Sequence, residues 1–187
     1  MKSLHILHSE SATGWGGQEI RVFQESNLLL ERGHRVSIVC QPESFMWNKC
    51  QSISSSNFNC YPLPLKSPAN PFSFIRLLRI LIQTRPDVIH THSSIDSWLA
   101  GSVAKFAGIP VVRSRHISIP IKSIFPNNWL YSRIPKKIIT SGEAISNVVT
   151  GVSGVLPENV KSISAGVDFR RFDFKIDGGA IRTELRM

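Results

Sequence analysis

The stretch LHILHSESATGWGGQE, residues 4–19, joins a short apolar segment to the beginning of a helical pattern. The segment Leu4–His8 is typical of a β-strand, and apolar residues recur at helical spacing from Gly17 to Arg32. The loop between them consists mainly of small residues and ends in two adjacent glycines, Gly16 and Gly17. The stretch therefore predicts a strand, a loop whose backbone can be approached closely, and a helix.

The same alternation continues along the rest of the chain. Further strands are predicted near Arg35–Cys40, Asn59–Leu63, Asp87–Thr91, Pro110–Ser114, Lys136–Thr140 and Val160–Ser164. Further helices are predicted near Pro71–Thr84, Ser94–Ala107 and Glu143–Gly151, with a weaker one around Ser44–Gln51. Strands that alternate with helices favour an α/β fold with a doubly wound, mostly parallel, Rossmann-like sheet that carries helices on both faces.

In a sheet of this kind, ligands bind beyond the carboxyl ends of the strands. Four segments are expected at that edge of the sheet: Ser9–Gly17, Thr91–Ser94, Arg115–Pro120 and Ser141–Glu143. These segments supply the candidate functional residues.

Gly16 and Gly17 stand where the first helix should begin. The unpaired amides and positive dipole end of a helix N-terminus can bind a phosphate, and glycine lets that anion come close. The alternative is that the two glycines only form a tight turn. The stretch Gly14–Glu19 lacks the third glycine of the G-x-G-x-x-G fingerprint. No acidic residue closes the second strand, which runs into Cys40, Gln41 and Pro42. A redox dinucleotide is therefore not expected, and no cofactor is predicted.

Histidine residues lie at several strand ends. His90 and His92 are two residues apart on a strand, and we expect their side chains to lie on opposite faces, which disfavours a metal site made from both. One of them is expected to be a core or capping residue. His5, His8 and His34 are expected to be structural. His116 follows Arg113 and Arg115 at the end of a strand and is either a ligand contact or structural. Glu143 stands at the start of a helix, where the helix dipole alone could favour an acidic residue. We predict no metal.

The chain carries a net charge of +9, with 22 basic and 13 acidic residues. Residues 97–142 contain seven basic residues and no acidic one. This pattern fits either a solvated surface or contact with an anionic partner, such as a phosphorylated ligand or the inner face of a cell membrane. Nucleic acid is not expected as a partner, because no binding motif is present. The three cysteines, without a C-x-x-C pair or a signal peptide, favour reduced thiols in the cytoplasm.

Four segments together resemble the N-terminal half of a family 4 glycosyltransferase with two Rossmann-like domains. They are GWGGQEIRVFQESNLLLERGHRVSIVCQP (14–42), RPDVIHTHSSIDSWLAGSVAKFAGIPVVRSRHIS (85–118), ITSGEAISNVV (139–149) and LPENVKSISAGVDFRRFD (156–173). The resemblance is strongest to bacterial enzymes that add sugars to cell-surface lipids and polysaccharides. It implies a retaining transferase that uses a nucleotide-sugar donor and a lipid- or polysaccharide-linked acceptor.

The resemblance also assigns roles to particular residues. Gly16 and Gly17 match the glycine loop that approaches the donor diphosphate and sugar, and His116 matches a histidine that faces the donor sugar. The residues expected to line the cleft on the acceptor side are His92, Ser93, Ser94, Arg115, Ser141 and Glu143. Ala165 replaces the usual asparagine of the family's N-G-V-D segment.

The resemblance further implies that the donor-binding partner domain is missing. Residues 1–173 are expected to form the acceptor-side domain, and residues 174–187 to open a truncated second one. The Glu-x7-Glu spacing of the family's second domain does not occur. We therefore expect this polypeptide alone to be inactive. The alternatives are a non-catalytic subunit that pairs with a donor-binding chain, and half of a sugar-nucleotide epimerase.

Overall fold

Seven parallel strands form one sheet in the computed structural model, which describes residues 2–65, 67, 70–166 and 177–186. The strands are β1 His5–Glu10, β2 Arg35–Cys40, β3 Phe58–Pro62, β4 Val88–Thr91, β5 Val111–Arg115, β6 Lys137–Thr140 and β7 Val160–Ser162. Their order across the sheet is β3-β2-β1-β4-β5-β6-β7, and every neighbouring pair is parallel. This confirms the predicted doubly wound α/β fold.

The helices connect these strands in sequence. They are α1 Gly17–Glu31, α2 Phe45–Cys50, α3 Pro71–Thr84, α4 Ser94–Phe106, α5 Asn127–Ser132, α6 Glu143–Thr150 and α7 Gly179–Glu184. Right-handed crossovers place α1 and α2 on one face of the sheet and α3 to α6 on the other. Two apolar clusters follow this division: one joins Val22 of α1 to Ile38, and the larger one joins Leu77 of α3 to Ile89 and Ile138.

The predicted strands and helices are all present, with ends that differ from the predicted ends by up to two residues. Two six-residue helices, α5 and α7, and a 3₁₀ turn at Pro157–Asn159 were not predicted. The predicted domain boundary at Asp173 and most of the segment SAGVDFRRF, from Val167 to Phe172, lie outside the described residues. Among the described residues, no helix has both the length and the apolar character needed to cross a membrane.

The three cysteines lie close together beside α2. Cys40 and Cys60 come from the paired strands β2 and β3, and their sulfur atoms are 3.7 Å apart. All three thiols are free. They pack in the smaller apolar cluster.

The strand order reverses direction between β1 and β4. Such a switch point leaves a crevice at the carboxyl edge of the sheet, because the connections on its two sides lead away from each other. The fold therefore directs attention to the loops that follow β1 and β4 and, next to them, β5.

Candidate functional site

Hydrogen bonds and ring contacts join the loops after four strands into one row at the carboxyl edge. Ser11, after β1, lies 2.6 Å from Ser93, after β4, between hydroxyl oxygens. The imidazole rings of His92 and His116 stack with centroids 6.0 Å apart. The amide of Ser141 donates to the carbonyl of Arg115 at 3.3 Å. The structure thus brings the four predicted loop segments together.

The glycine loop is open at its end but is capped by an acidic side chain. Gly16 and Gly17 are both exposed, and a Cβ atom at Gly17 would meet nothing within 4 Å. The amide of Gly16 donates to Oε2 of the buried Glu19 at 2.7 Å. The amides of Gly17 and Gln18 belong to the first turn and have no partner within the helix. An anion could bind the amides of Gly17 and Gln18. It would then lie beside the carboxylate of Glu19, which already accepts from the amide of Gly16.

Glu10, the last residue of β1, forms hydrogen bonds to residues on both sides of the glycine loop. Its carboxyl oxygens accept hydrogen bonds from the amide of Ala12 at 2.9 Å and from the side chain of Gln18 at 2.7 Å. Burial, and after it the nearby charge of Asp96, raises the pKa of Glu10 to about 8. The loop that leads to Gly16 is therefore organised by a carboxyl group that is mostly protonated at neutral pH.

Three histidines form a buried cluster on the α1 face of the sheet: His8 on β1, His90 on β4, and His92 directly after β4. The rings of His90 and His92 are 4.1 Å apart between centroids, and Nδ1 of His8 lies 3.0 Å from Nε2 of His92. The expectation that His90 and His92 lie on opposite faces is wrong. Side chains alternate along a strand, so residues two apart share a face.

Two of these histidines, His8 and His92, are held in neutral form. Burial, followed by the charge of His90, lowers the pKa of His8 to about 3, and burial lowers the pKa of His92 well below its ordinary value. Nε2 of His8 and Nδ1 of His92 are buried without a hydrogen-bond partner among the described residues. Two neutral rings that share one hydrogen bond leave one N–H and one lone pair unpaired in either tautomer.

Neutral imidazoles are also the form that binds transition metals. The candidate ligand atoms of His8, His90 and His92 lie within 4.8 Å of one another. However, His90 is engaged elsewhere: its Nε2 lies 2.7 Å from the hydroxyl of Ser114, and its Nδ1 lies 3.5 Å from Glu25. As they stand, the three rings form a packed, hydrogen-bonded group rather than a coordination sphere.

His116 lies next to His92 at the carboxyl edge of the sheet and is half-buried. Its Nε2 is buried and, within the described part of the chain, has no hydrogen-bond partner. Burial and the charge of Arg21 lower the pKa of His116 to about 4. At neutral pH its ring is therefore uncharged, and it can exchange a hydrogen bond with a ligand hydroxyl but is a weak base.

The start of α4 is fixed by a buried aspartate. Asp96 accepts hydrogen bonds from the amides of His92 at 3.0 Å and Ser93 at 2.7 Å, and from the hydroxyl of Ser9 at 2.7 Å. Ser93 and Asp96 form a capping box. These contacts fix the predicted cleft residues His92 and Ser93. Ser94, one residue further along, is exposed.

A cationic centre lies on the opposite face of the sheet. Arg113 and Arg115 are both buried and both donate to the hydroxyl of Tyr131, at 3.1 and 2.6 Å. The guanidinium of Arg113 also lies 3.9 Å from the centre of the Tyr131 ring. The predicted cleft residue Arg115 therefore faces α4 and α5, away from His116.

The two remaining predicted residues lie further along the row. Ser141 is half-buried after β6, and Glu143 is exposed in the first turn of α6. Glu143 lines a shallow cavity of about 400 Å³ between α6 and β7, together with Asn147 and Lys161. Among the described residues, this cavity includes none of the histidines.

Residues 15–171 match the family model described as Glycosyltransferase Family 4. The chain belongs to this family. Over 153 residues it is 31% identical to one subunit of the human phosphatidylinositol N-acetylglucosaminyltransferase, an alignment that covers 77% of this chain and 30% of that protein.

Several solved structures share the fold at lower identity. A glycosyltransferase from Rickettsia africae has a TM-score of 0.77 and 15% identity, over 100% of this chain and 49% of that one. Anabaena HepE in complex with UDP-glucose has a TM-score of 0.75 and 14% identity, over 98% of this chain and 50% of that one. UDP-N-acetylglucosamine 2-epimerases also share the fold, with TM-scores of 0.60 to 0.63. The chain spans about half the length of the Rickettsia africae protein and of HepE, and 30% of the human protein.

Several residues that shape the site of this family 4 chain were not singled out from its sequence. Glu10, Glu19 and Asp96 hold the loops, and Arg113 and Tyr131 support Arg115. The capping box S-x-x-D at Ser93–Asp96 is visible in the sequence and could have identified Asp96. The contact between Arg113 and Tyr131 joins two elements 18 residues apart, and no local pattern points to it.

Proposed function

We propose that this chain is the acceptor-side domain of a retaining glycosyltransferase, which moves a sugar from a nucleotide-sugar to a lipid- or polysaccharide-linked acceptor of the cell envelope. The observation that carries the proposal is the row of loops at the switch point. There the exposed Gly16-Gly17 turn and the unpaired Nε2 of His116 lie on the same edge of the sheet. Membership of family 4 supports transfer of a sugar as the chemistry.

The proposed donor contacts use groups that remain free in the loops. The amides of Gly17 and Gln18 would bind phosphate oxygens, and the neutral ring of His116 would bind a hydroxyl of the donor sugar. Glu19 accepts the hydrogen bond of the Gly16 amide, so its carboxylate would lie beside the bound phosphate. Its negative charge would repel a second phosphate group at the same place. Departure of a nucleoside diphosphate also needs groups that stabilise the leaving phosphates. Those groups would come from a donor-binding domain, so we propose that the 187-residue polypeptide alone does not transfer.

The nature of donor and acceptor is proposed from similar proteins. Anabaena HepE binds UDP-glucose, which supports a uridine-linked hexose as one donor to be tested. The human relative is named for phosphatidylinositol, which supports a lipid acceptor. Because a lipid acceptor lies in a membrane, we propose that the protein is cytoplasmic and attaches peripherally to the inner face of the cell membrane.

The test measures transfer by the product of the complete reading frame. Nucleotide-sugars would be supplied with a membrane lipid extract, and released nucleoside diphosphate would be followed together with labelled lipid. His116→Ala should lower turnover about 100-fold, because it removes a group that contacts the reacting sugar. His34→Ala, which changes a histidine far from the carboxyl edge of the sheet, is the control. Equal activity of the two variants, or transfer by the 187-residue chain alone, would contradict the proposal.

Two other functions are favoured by particular observations. The human relative is one subunit of an enzyme, which favours a non-catalytic chain that pairs with a donor-binding chain. Epimerases share the fold, which favours inversion of UDP-N-acetylglucosamine at C2. Formation of the C2 epimer without any acceptor would identify an epimerase. Activity that appears only when a separate chain is added would identify a subunit.

A further inference from the structure

A cavity of about 220 Å³ opens beside α4, on the face of the sheet away from the histidine cluster. Its polar lining comes from Ser94, Arg115, Lys122, Asn127 and Tyr131, and Trp98, Ile121 and Leu130 add apolar walls. No acidic residue is part of this lining, as far as the described chain extends. The cavity combines positive charge with apolar surface.

The two arginines behind this cavity lack an acidic partner. Arg115 is 8% exposed, and Arg113 is only 2% exposed. Across residues 2–65, 67, 70–166 and 177–186, no carboxylate oxygen lies within 4.0 Å of either guanidinium. Nε of Arg115, and Nε and Nη1 of Arg113, are buried without a hydrogen-bond partner in those ranges. Buried charges are costly unless they are paired. Of the two arginines, Arg115 lines the cavity and is the one that an incoming anion could reach.

The buried acid at the start of α4 is already engaged. Asp96 accepts from the amides of His92 and Ser93 and from the hydroxyl of Ser9. Its carboxyl group is fully buried, and these bonds hold both oxygens at the start of the helix. The nearby charge of Asp96 still favours the charged form of Arg113. None of the described acidic residues, however, lines the cavity beside Arg115.

The loop that frames the cavity exposes several large apolar side chains. Ile117, Ile119, Ile124 and Phe125 lie between β5 and α5, with Ile119 63% and Phe125 80% exposed. The backbone of this loop is fixed: the carbonyl of Ile119 accepts from Nη2 of Arg115 at 2.5 Å, and the carbonyl of Lys122 accepts from a side-chain amide at 3.0 Å. A held loop that presents apolar side chains beside basic ones fits the interface of a bilayer.

We propose that this cavity binds the phosphate of an anionic phospholipid headgroup, with Arg115 and Lys122 as its charged contacts, while the loop of residues 117–125 inserts its apolar side chains into the bilayer. Arg113 and Tyr131 hold Arg115 in place. This lipid site rests on the proposed function and deepens it, because it gives the acceptor side a phosphate-bearing lipid surface. A choline headgroup fits poorly, since its ammonium would meet the two cationic side chains.

The test measures binding of the purified chain to sedimenting vesicles, without any nucleotide-sugar. One vesicle type is phosphatidylcholine alone, and the other contains about one-fifth phosphatidylglycerol. We expect binding to the second type only, and its loss at high salt. Lys122→Gln should weaken binding about fivefold, which corresponds to about 1 kcal/mol for one basic residue at an anionic surface. Lys161→Gln on β7 removes the same charge away from the cavity and should change binding less than about twofold.

The apolar contribution has its own matched pair. Phe125→Ser in the loop should weaken binding about tenfold, because a phenylalanine loses its place in the apolar layer. Phe72→Ser on α3, at a position that is 81% exposed, removes an equally exposed ring elsewhere and should have little effect. Circular dichroism of each variant shows whether the fold is retained.

Three results would overturn the proposal. They are equal binding to both vesicle types, equal losses within either pair of variants, and displacement by glycerol 3-phosphate no greater than by sodium chloride of the same ionic strength. Because the readout is lipid binding, an absence of transfer by the product of the complete reading frame would refute the proposed function and leave this result standing. Conversely, active transfer with no vesicle selectivity would refute only the lipid site.

Discussion

At the scale of single residues, the buried histidines set an acid limit on stability. His8 has a pKa of about 3 in the folded chain, against an ordinary value of 6.5, because burial disfavours its charged form. Below pH 6.5 the unfolded chain therefore takes up protons that the folded chain does not, and stability falls as pH falls towards 3. Each such histidine contributes about 1.4 kcal/mol per pH unit. Urea unfolding at pH 7 and pH 5 should show this loss.

The variant that tests this origin is His8→Leu. A hydrogen bond to His92 is lost and an apolar side chain is gained, so the informative quantity is the slope of stability with pH rather than its value at pH 7. That slope should be shallower than in the parent chain by about 1.4 kcal/mol per pH unit. His34→Gln, outside the cluster, is the control. Parallel slopes for His8→Leu and the parent chain would show that His8 does not titrate as inferred.

Glu10 has the opposite pH dependence. Burial and the charge of Asp96 raise its pKa from the ordinary 4.5 to about 8, so the unfolded chain ionises first and stability is lost as pH rises between these values. Glu10→Gln removes this loss and keeps an acceptor for the amide of Ala12. The variant should be more stable at pH 7 by about 1 kcal/mol or more, with a larger gain at pH 8 than at pH 5. Thermal melts at the three pH values test this, and the exposed Glu31→Gln is the control. A gain independent of pH would contradict it.

Only part of the residue-scale arrangement could be predicted from the sequence. The strand-end rule correctly identified the loops that contain Gly16, His92 and His116, because the carboxyl ends of parallel strands must share one edge. The alternation of side chains, applied correctly, would have placed His90 and His92 on one face. The unpaired nitrogens of these rings and the burial of Glu10 depend on packing between distant elements, which no local pattern contains.

At the scale of elements, the start of α4 depends on Asp96. Replacement by alanine leaves the amides of His92 and Ser93 and the hydroxyl of Ser9 without their acceptor. We expect Asp96→Ala to lower the free energy of unfolding by about 2 kcal/mol or more, and Asp96→Asn by less, since one acceptor oxygen remains. Chemical denaturation at pH 7 measures both. Glu143→Gln, at the exposed start of α6, is the matched control and should cost about 0.3 kcal/mol. Similar losses for Asp96→Ala and Glu143→Gln would contradict this role.

The positions of the helices and strands could be predicted from the sequence more fully than the contacts between their side chains. Strands such as Arg35–Cys40 are short apolar runs between turn residues, and helices such as Pro71–Thr84 have both an apolar stripe and a boundary signal. The helix Asn127–Ser132 was missed because six residues are too few to establish a helical period. Its position matters for function, since it carries Tyr131 to the two arginines.

At the scale of the whole molecule, the sheet separates two chemistries. Arg115 and His116 are consecutive, yet Arg115 contacts Tyr131 on the α4 side and His116 stacks on His92 on the α1 side. Consecutive residues of a strand point to opposite faces, so one strand end can serve both sides. The proposed donor contact at His116 and the proposed lipid cavity at Arg115 are therefore neighbours along the backbone, but their side chains lie on opposite faces of the sheet.

This separation predicts that donor and acceptor parameters change independently in the product of the complete reading frame. Lys122→Gln should raise the KM for a lipid acceptor about fivefold and leave the KM for the nucleotide-sugar unchanged, because the ammonium lies only on the cavity side. His116→Ala should lower kcat and leave vesicle binding unchanged, because its ring lies on the other face. Steady-state kinetics with each substrate varied in turn, together with vesicle sedimentation, give all four quantities. A shift of both KM values by Lys122→Gln, or loss of vesicle binding in His116→Ala, would mean that the two sides form a single site.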